Sequence, residues 1–230
     1  MSTTPRLLVY LASGQLHDVP ADDEWLSADE RSVLAALKLA KRRSEWRLGR
    51  WLARRAVHSA LRADLPPISI IAADDGAPEV LGLSSPVSLS ISHRHGRGLA
   101  AACGGEAIGC DLELVEPRSE RFISDWLTPH ESARILAAPE TERPLLANLC
   151  WSVKEAASKV LRVGLRFDTR AFDVELPDQG VMSEPVGCAW QPIAVTVLKS
   201  GEHFAGVWRA RAGFVETVLA RSPLEIREPD

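Results

Sequence analysis

Thiols are scarce in this chain. Four cysteines, Cys103, Cys110, Cys150 and Cys188, are spread over 230 residues and form no C-x-x-C pair. That spacing excludes a compact zinc cage or a disulfide scaffold and fits a reducing cytoplasm. Long apolar runs are missing too. The N-terminal run Leu7-Leu8-Val9-Tyr10-Leu11-Ala12 is too short for a membrane span and lacks a signal-peptide layout, so a cytoplasmic protein without a membrane partner is expected. An excess of one charge is also absent: 27 Lys and Arg against 31 Asp and Glu leave a net charge of −4. No global basic field therefore argues for nucleic acid. What is present, 46% hydrophobic and 25% charged residues, describes a globular chain long enough for one domain or two compact halves.

Periodicity supplies the elements. Leu7–Ala12, Ile68–Ala72, Val87–His93, Leu99–Cys103, Ile108–Leu114, Phe172–Leu176, Ile193–Leu198, Phe204–Ala210 and Phe214–Ala220 read as strands. Ser27 to Glu30 has the form of a capping box, with Val33, Leu34, Leu37 and Ala40 as the buried face of the helix that follows. A second helix is predicted from Ser44 to Leu61. Thr128-Pro129-His130-Glu131 has the layout of a further helix start, in which Glu131 reads as a capping residue. Pro144 opens and Gly164 closes the predicted central helix. On that helix Leu149, Val153, Ala156, Ala157, Val160 and Leu161 recur at helical spacing as a buried stripe, and Trp151, Glu155 and Lys159 form a ladder roughly opposite it.

Three further groups carry chemistry. Asp111 and Glu113 alternate with Cys110, Leu112 and Leu114, so period two puts both carboxylates on one face with Cα atoms ~6.8 Å apart. They are either an exposed acidic edge or a hard-cation site, since magnesium takes one or two carboxylates and fills its octahedron with water and phosphate oxygens. Arg43, Arg47, Arg50 and Arg54 fall at i, i+4, i+7 and i+11, and Arg42 and Arg50 lie eight apart on nearby sides of the same helix. That patch is either a solvated face or a phosphate clamp of guanidinium forks. Ser88, Ser90 and Ser92 alternate with apolar residues and end at His93, with Arg94 and Arg97 beyond, a surface feature or an anion site.

Taken in order, Gly76-Ala77-Pro78, Ser90-Ile91-Ser92-His93, Gly109-Cys110-Asp111-Leu112-Glu113 and Trp151-Ser152-Val153-Lys154-Glu155-Ala156-Ala157-Ser158-Lys159 resemble the motifs of the Sfp-type 4′-phosphopantetheinyl transferases. Lys41-Arg42-Arg43-Ser44-Glu45-Trp46-Arg47-Leu48-Gly49-Arg50 looks like the enterobactin-type branch. The resemblance spans roughly residues 41 to 176 and departs from the family at Ala77, where Lys or Arg is common, and mildly at Ser90. It implies transfer of the phosphopantetheine arm of coenzyme A to a serine of an apo acyl- or peptidyl-carrier protein. By resemblance, Asp111, Glu113 and Glu155 hold Mg2+, and Arg42, Arg50, Ser92, His93 and Lys159 contact coenzyme A. By the same resemblance, Glu155 and Lys159 are the expected catalytic pair. The fold implied is α+β, a monomer of two similar α/β halves about a pseudo-two-fold axis, residues 1–104 and 105–230. The alternatives are a metal-dependent phosphodiesterase or nuclease, and a non-catalytic carrier-protein or coenzyme A binder.

Overall fold

The computed structural model describes residues 5–61, 67–164, 168–177 and 189–228. Cys188 and most of the polar loop expected between Pro177 and Pro185 lie outside these residues. Cys103, Cys110 and Cys150 are free and buried, and no helix among the described residues is long and apolar enough to cross a membrane.

The opening run extends as β1 (Leu7–Gln15). It is followed by α1 (Ala28–Ala36), α2 (Ala40–Leu61), the short β2 (Ser69–Ala72) and β3 (Pro78–Leu81), and the hairpin β4 (Val87–Arg94) and β5 (Arg97–Gly104). Then come β6 (Ile108–Leu114), α3 (Glu120–Trp126), α4 (Pro129–Ala137), α5 (Arg143–Val160), β7 (Phe172–Val174), β8 (Gln191–Val197), β9 (Glu202–Arg211), β10 (Phe214–Ala220) and β11 (Leu224–Arg227). One sheet runs β11-β1-β5-β4, a second runs β6-β10-β9-β8-β7, and β2 pairs with β3 alone. The fold is α+β, as expected.

Alternation decides which side each strand gives to which core. Ala12, Ala100 and Ala102 meet Leu48, Leu52, Ala53 and Ala56 of α2, while Val9, Leu11, Leu99 and Ala101 turn the other way to meet Ile108, Cys110, Leu112 and Val218 of the second sheet. On the far side of that sheet, Leu149, Val153, Ala156 and Ala157 of α5 pack against Phe172, Val195, Phe204 and Val215. The layers are therefore helix, sheet, sheet, helix. The last strand returns to the first sheet, where β11 lies parallel to β1 with Leu224 opposite Leu7.

Several boundaries differ from expectation. The capping box at Ser27 and Glu30 forms, but α1 ends at Ala36 because Leu37 turns extended at φ −76 and ψ 115. Val33 is then 42% exposed, and only Leu34 of the expected apolar face is buried. Ala40 instead starts α2, which brings Arg42 and Arg43 inside the helix. Likewise α5 stops at Val160, and the left-handed residue that closes it is Arg162 at φ 56, ahead of Gly164.

Candidate active site

Ile108, Cys110 and Leu112 of β6 enter the core shared by the sheets, so Gly109, Asp111 and Glu113 face α5. The helix lies directly on the strand at Gly109: a Cβ there would sit 1.9 Å from the carbonyl oxygen of Ala156. The edge of β6 joins no backbone ladder with β4. Serines close the gap. The Cys110 N–H donates to Ser90 Oγ at 2.9 Å, the Leu112 N–H donates to Ser92 Oγ at 3.3 Å, and the Ser92 hydroxyl donates to Asp111 Oδ1 at 2.9 Å. The alternating serines are thus the seam between the sheets, and they hold one acid of the site.

Trp151, Glu155 and Lys159 face this strand. Lys159 Nζ donates to Asp111 Oδ1 at 2.9 Å and to the Cys110 carbonyl at 2.8 Å. Burial pulls its ammonium down, but Asp111, with Cys110 and Glu155, outweighs that and leaves its pKa above the usual lysine value. Trp151 Nε1 donates to Glu113 Oε1 at 3.2 Å, and Trp151 is packed edge-on by Phe122 and Trp126. Neither acid belongs to an exposed edge: Asp111 is 4% and Glu113 8% exposed. Glu155 has no cation within bonding distance on one oxygen. Its carboxyl is pushed up to about 7, first by burial and then by the negative charge of Asp111, with Lys159 opposing. Burial and Asp111 also raise Glu113, against Arg94 and Arg118.

Two of these acids offer a seat for a divalent ion. Asp111 Oδ2 and Glu155 Oε1 are buried and accept no hydrogen bond, and mutual repulsion already raises Glu155, so hard oxygen donors are free where a cation would relieve them. Glu113 is turned elsewhere, to Arg118 Nη2 at 3.2 Å and Arg94 Nε at 3.5 Å. As placed, no three acidic, histidine or cysteine side chains among the described residues gather closely enough to hold a metal. Asp111 and Glu155 fit the group, and Glu113 fits it once it leaves its arginines.

The basic stripe divides in two. Arg43 donates to the Leu34 carbonyl at 2.6 Å, Arg47 pairs with Asp23 at 2.8 Å, and Arg54 pairs with buried Glu30. These three tie α1 and the preceding loop to α2. Arg42 stays exposed. Arg50 stacks on Trp46 at 4.8 Å with its Nε buried and unpartnered, and its pKa falls, mainly by burial, against the pull of Glu30. His93 is exposed at the end of β4, within electrostatic reach of Glu45 on α2 and of Lys159 and Asp111. Arg94 and Arg97 do not form an anion site with it. Arg94 pairs with Glu116 at 3.1 Å, and Arg97 stacks on Phe214 at 4.8 Å. A cavity of about 530 Å³ runs from Lys159 past Ser90 to the β2–β3 turn, and so draws its walls from both sides of the seam.

Comparison with known proteins addresses this arrangement. A family model described as the 4′-phosphopantetheinyl transferase superfamily matches residues 107–208, and one described as the 4′-phosphopantetheinyl transferase N-terminal domain matches residues 29–103. The chain belongs to the 4′-phosphopantetheinyl transferase superfamily. A 4′-phosphopantetheinyl transferase of Bacillus subtilis is 26% identical over 195 residues, which cover 79% of this chain and 86% of that protein. A solved holo-(acyl-carrier-protein) synthase from Bacillus anthracis, in complex with CoA (3′,5′-ADP), is 24% identical with a TM-score of 0.37, covering 41% of this chain and 91% of its own.

In this member of the superfamily the other lysine of the α5 motif is structural. Lys154 is fully buried, and its ammonium donates to Glu131 Oε2 at 2.7 Å and to the carbonyls of Thr169 at 2.9 Å and Phe172 at 2.7 Å. Glu131 in turn accepts the Thr128 N–H at 2.7 Å and the Val174 N–H at 2.8 Å. Glu131 is therefore both a cap and the counter-charge that fixes α5 in depth. Lys154→Met leaves that carboxylate buried without its cation, so unfolding in urea is expected to show a loss of roughly 3–5 kcal/mol. Adding Glu131→Gln should recover part of it, and an unchanged midpoint in Lys154→Met would contradict the assignment.

Sequence reasoning missed Arg118 and Asn148. Arg118 Nε donates to Asn148 Oδ1 at 2.7 Å, and Asn148 Nδ2 donates to the Glu116 carbonyl at 2.7 Å. Together they hold the loop after β6 on α5 and point a guanidinium at Glu113. Arg118 sits in an aperiodic stretch, and nothing local marks it.

Proposed function

We propose that this chain transfers the 4′-phosphopantetheine arm of coenzyme A to a serine of an apo acyl- or peptidyl-carrier protein and releases adenosine 3′,5′-bisphosphate. The Lys41–Arg50 stretch supports placing it in the Sfp-type, enterobactin-synthetase branch, acting as a cytoplasmic monomer with its two halves meeting near residue 104. The observation that carries the reading is the trio of buried Asp111 with half-buried Glu155 and Lys159, in which one carboxyl is raised to about 7 beside a paired ammonium that lines a two-walled cavity.

The serine oxygen attacks the phosphorus that bears the pantetheine arm, its O–H proton passes to Glu155, and the bond to the adenosine-side phosphate oxygen breaks. A carboxylate whose pKa lies near neutrality is well matched to that proton transfer. Lys159, held by Asp111, faces the phosphate oxygens and neutralises charge on the departing group. Arg42, Arg50 and His93 would bind further phosphate oxygens of coenzyme A. Ser92 would give a second polar contact once its hydroxyl turns from Asp111. Asp111 and Glu155, with Glu113 once it leaves its arginines, would hold Mg2+, which would supply charge neutralisation at the pyrophosphate.

Incubation with coenzyme A, magnesium and a panel of apo-carrier proteins, read by intact mass, tests the reading. Addition of the arm to the acceptor serine is expected. If no acceptor gains mass while coenzyme A still binds, the protein is a binder and the proposal fails.

A further inference from the structure

The end of α5 carries a second feature of the cavity. The Val163 N–H donates to the Ser158 carbonyl and the Arg162 N–H to the Lys159 carbonyl, both at 3.1 Å. This pattern closes a helix on a left-handed residue, a place that glycine normally takes. Arg162 takes it at φ 56, although a glycine stands two positions on. A bulky residue persists there only when its surroundings hold it. Its side chain is held well. Nε donates to Asp75 Oδ2 at 2.7 Å, and Nη2 donates to Asp75 Oδ1 and to Glu79 Oε1, each at 3.0 Å. Exposed ion pairs contribute little in general, and two-toothed arginine–carboxylate contacts are the exception.

The partners matter because of where they stand. Asp75 also accepts the Ala77 N–H at 3.0 Å and so organises the β2–β3 turn itself. Among the described residues β2 and β3 pair only with each other, so that hairpin has no ladder to fix it. Arg162, Asp75 and Glu79 all line the 530 Å³ cavity, one on the α5 side and two on the hairpin side. We propose that Arg162 and Asp75 form a clasp that fixes the β2–β3 turn as one wall of the cavity, making Arg162 a positioning residue for coenzyme A. The inference rests on the coenzyme A reading above. Asp75 stays ionised down to about 2 because Arg162 holds its charged form, so salt rather than pH is the means of loosening the clasp.

Arg162→Gly is the informative variant, since glycine suits the left-handed backbone and removes the side chain with its guanidinium without straining the helix end. The expected result is a KM for coenzyme A raised about tenfold at nearly parental kcat, with an undiminished melting temperature. Amide exchange of residues 73–80 should quicken, and the parent's KM should rise with sodium chloride more steeply than the variant's. The charge swap Asp75→Arg with Arg162→Asp should recover only part of the affinity, because the Ala77 N–H loses the carboxylate that accepts it. Unchanged exchange in the turn overturns the clasp. Faster exchange with unchanged KM overturns the positioning role. Both outcomes are read in a parent that transfers the arm. A parent that neither binds coenzyme A nor transfers refutes the proposed function itself, and the positioning role with it.

Discussion

Asp111→Asn is expected to lower arm transfer at least ~10²-fold, because several kcal/mol of charge stabilisation at the reacting phosphates depends on that carboxylate. The side chain keeps its shape, and its oxygen still accepts from Lys159 and Ser92, so the melting transition should stay cooperative. What changes is the charge balance. Lys159 loses its closest counter-ion, and Glu155 loses the negative neighbour that, after burial, does most to raise its pKa. In the absence of magnesium, Glu155 therefore titrates closer to the ordinary glutamate value than it does in the parent. Calorimetry should still show coenzyme A binding through Arg42, Arg50 and His93. Parental turnover in this variant would remove Asp111 from the chemistry.

Gly109→Ala should be nearly as damaging without touching a charged group. The added Cβ would lie 1.9 Å from the Ala156 carbonyl oxygen and 3.1 Å from Val160 Cγ2. The nearer obstacle is backbone, so the helix itself has to move. Overpacking of this kind typically costs about 1–3 kcal/mol. The larger effect is geometric, because the displaced segment carries Glu155 and Lys159, and a shift of about 1 Å in a reacting constellation can cost ~10²-fold in rate. Transfer should collapse while far-ultraviolet dichroism stays native and the Lys159–Asp111 contact lengthens in a crystal structure. A variant with parental activity would show that α5 is not held by this contact.

Most strands and both long helices follow from periodicity, because each buries one side against one core. The misses have physical causes. β11 has only four residues, and its partner Leu7 lies at the opposite end of the chain, so no local pattern announces it. Arg43, Arg47 and Arg54 share a helical stripe with Arg50, yet tertiary contacts with Leu34, Asp23 and Glu30 engage them. Helical phase alone cannot separate such residues from a ligand clamp. The serines of β4 read as the polar side of a half-buried strand, whereas two of them bond to β6 across a gap between sheets. The acid–lysine ladder was visible as spacing, but its orientation toward β6 depends on Gly109. Lys154, adjacent to Glu155 in sequence, points to a different side of α5 into the core, which the Glu131 contact reveals.

The central claim is that Glu155 takes the serine proton. Glu155→Gln keeps size and helix propensity, adds no cavity, and removes only the acceptor and its charge. A single-turnover reaction with saturating coenzyme A and an apo-carrier protein, quenched and read by intact mass, compares it directly with the parent. The account predicts rapid modification of the carrier by the parent and at least ~10²-fold slower modification by the variant, with coenzyme A binding retained by calorimetry. Equal rates of carrier modification by the two proteins would contradict it.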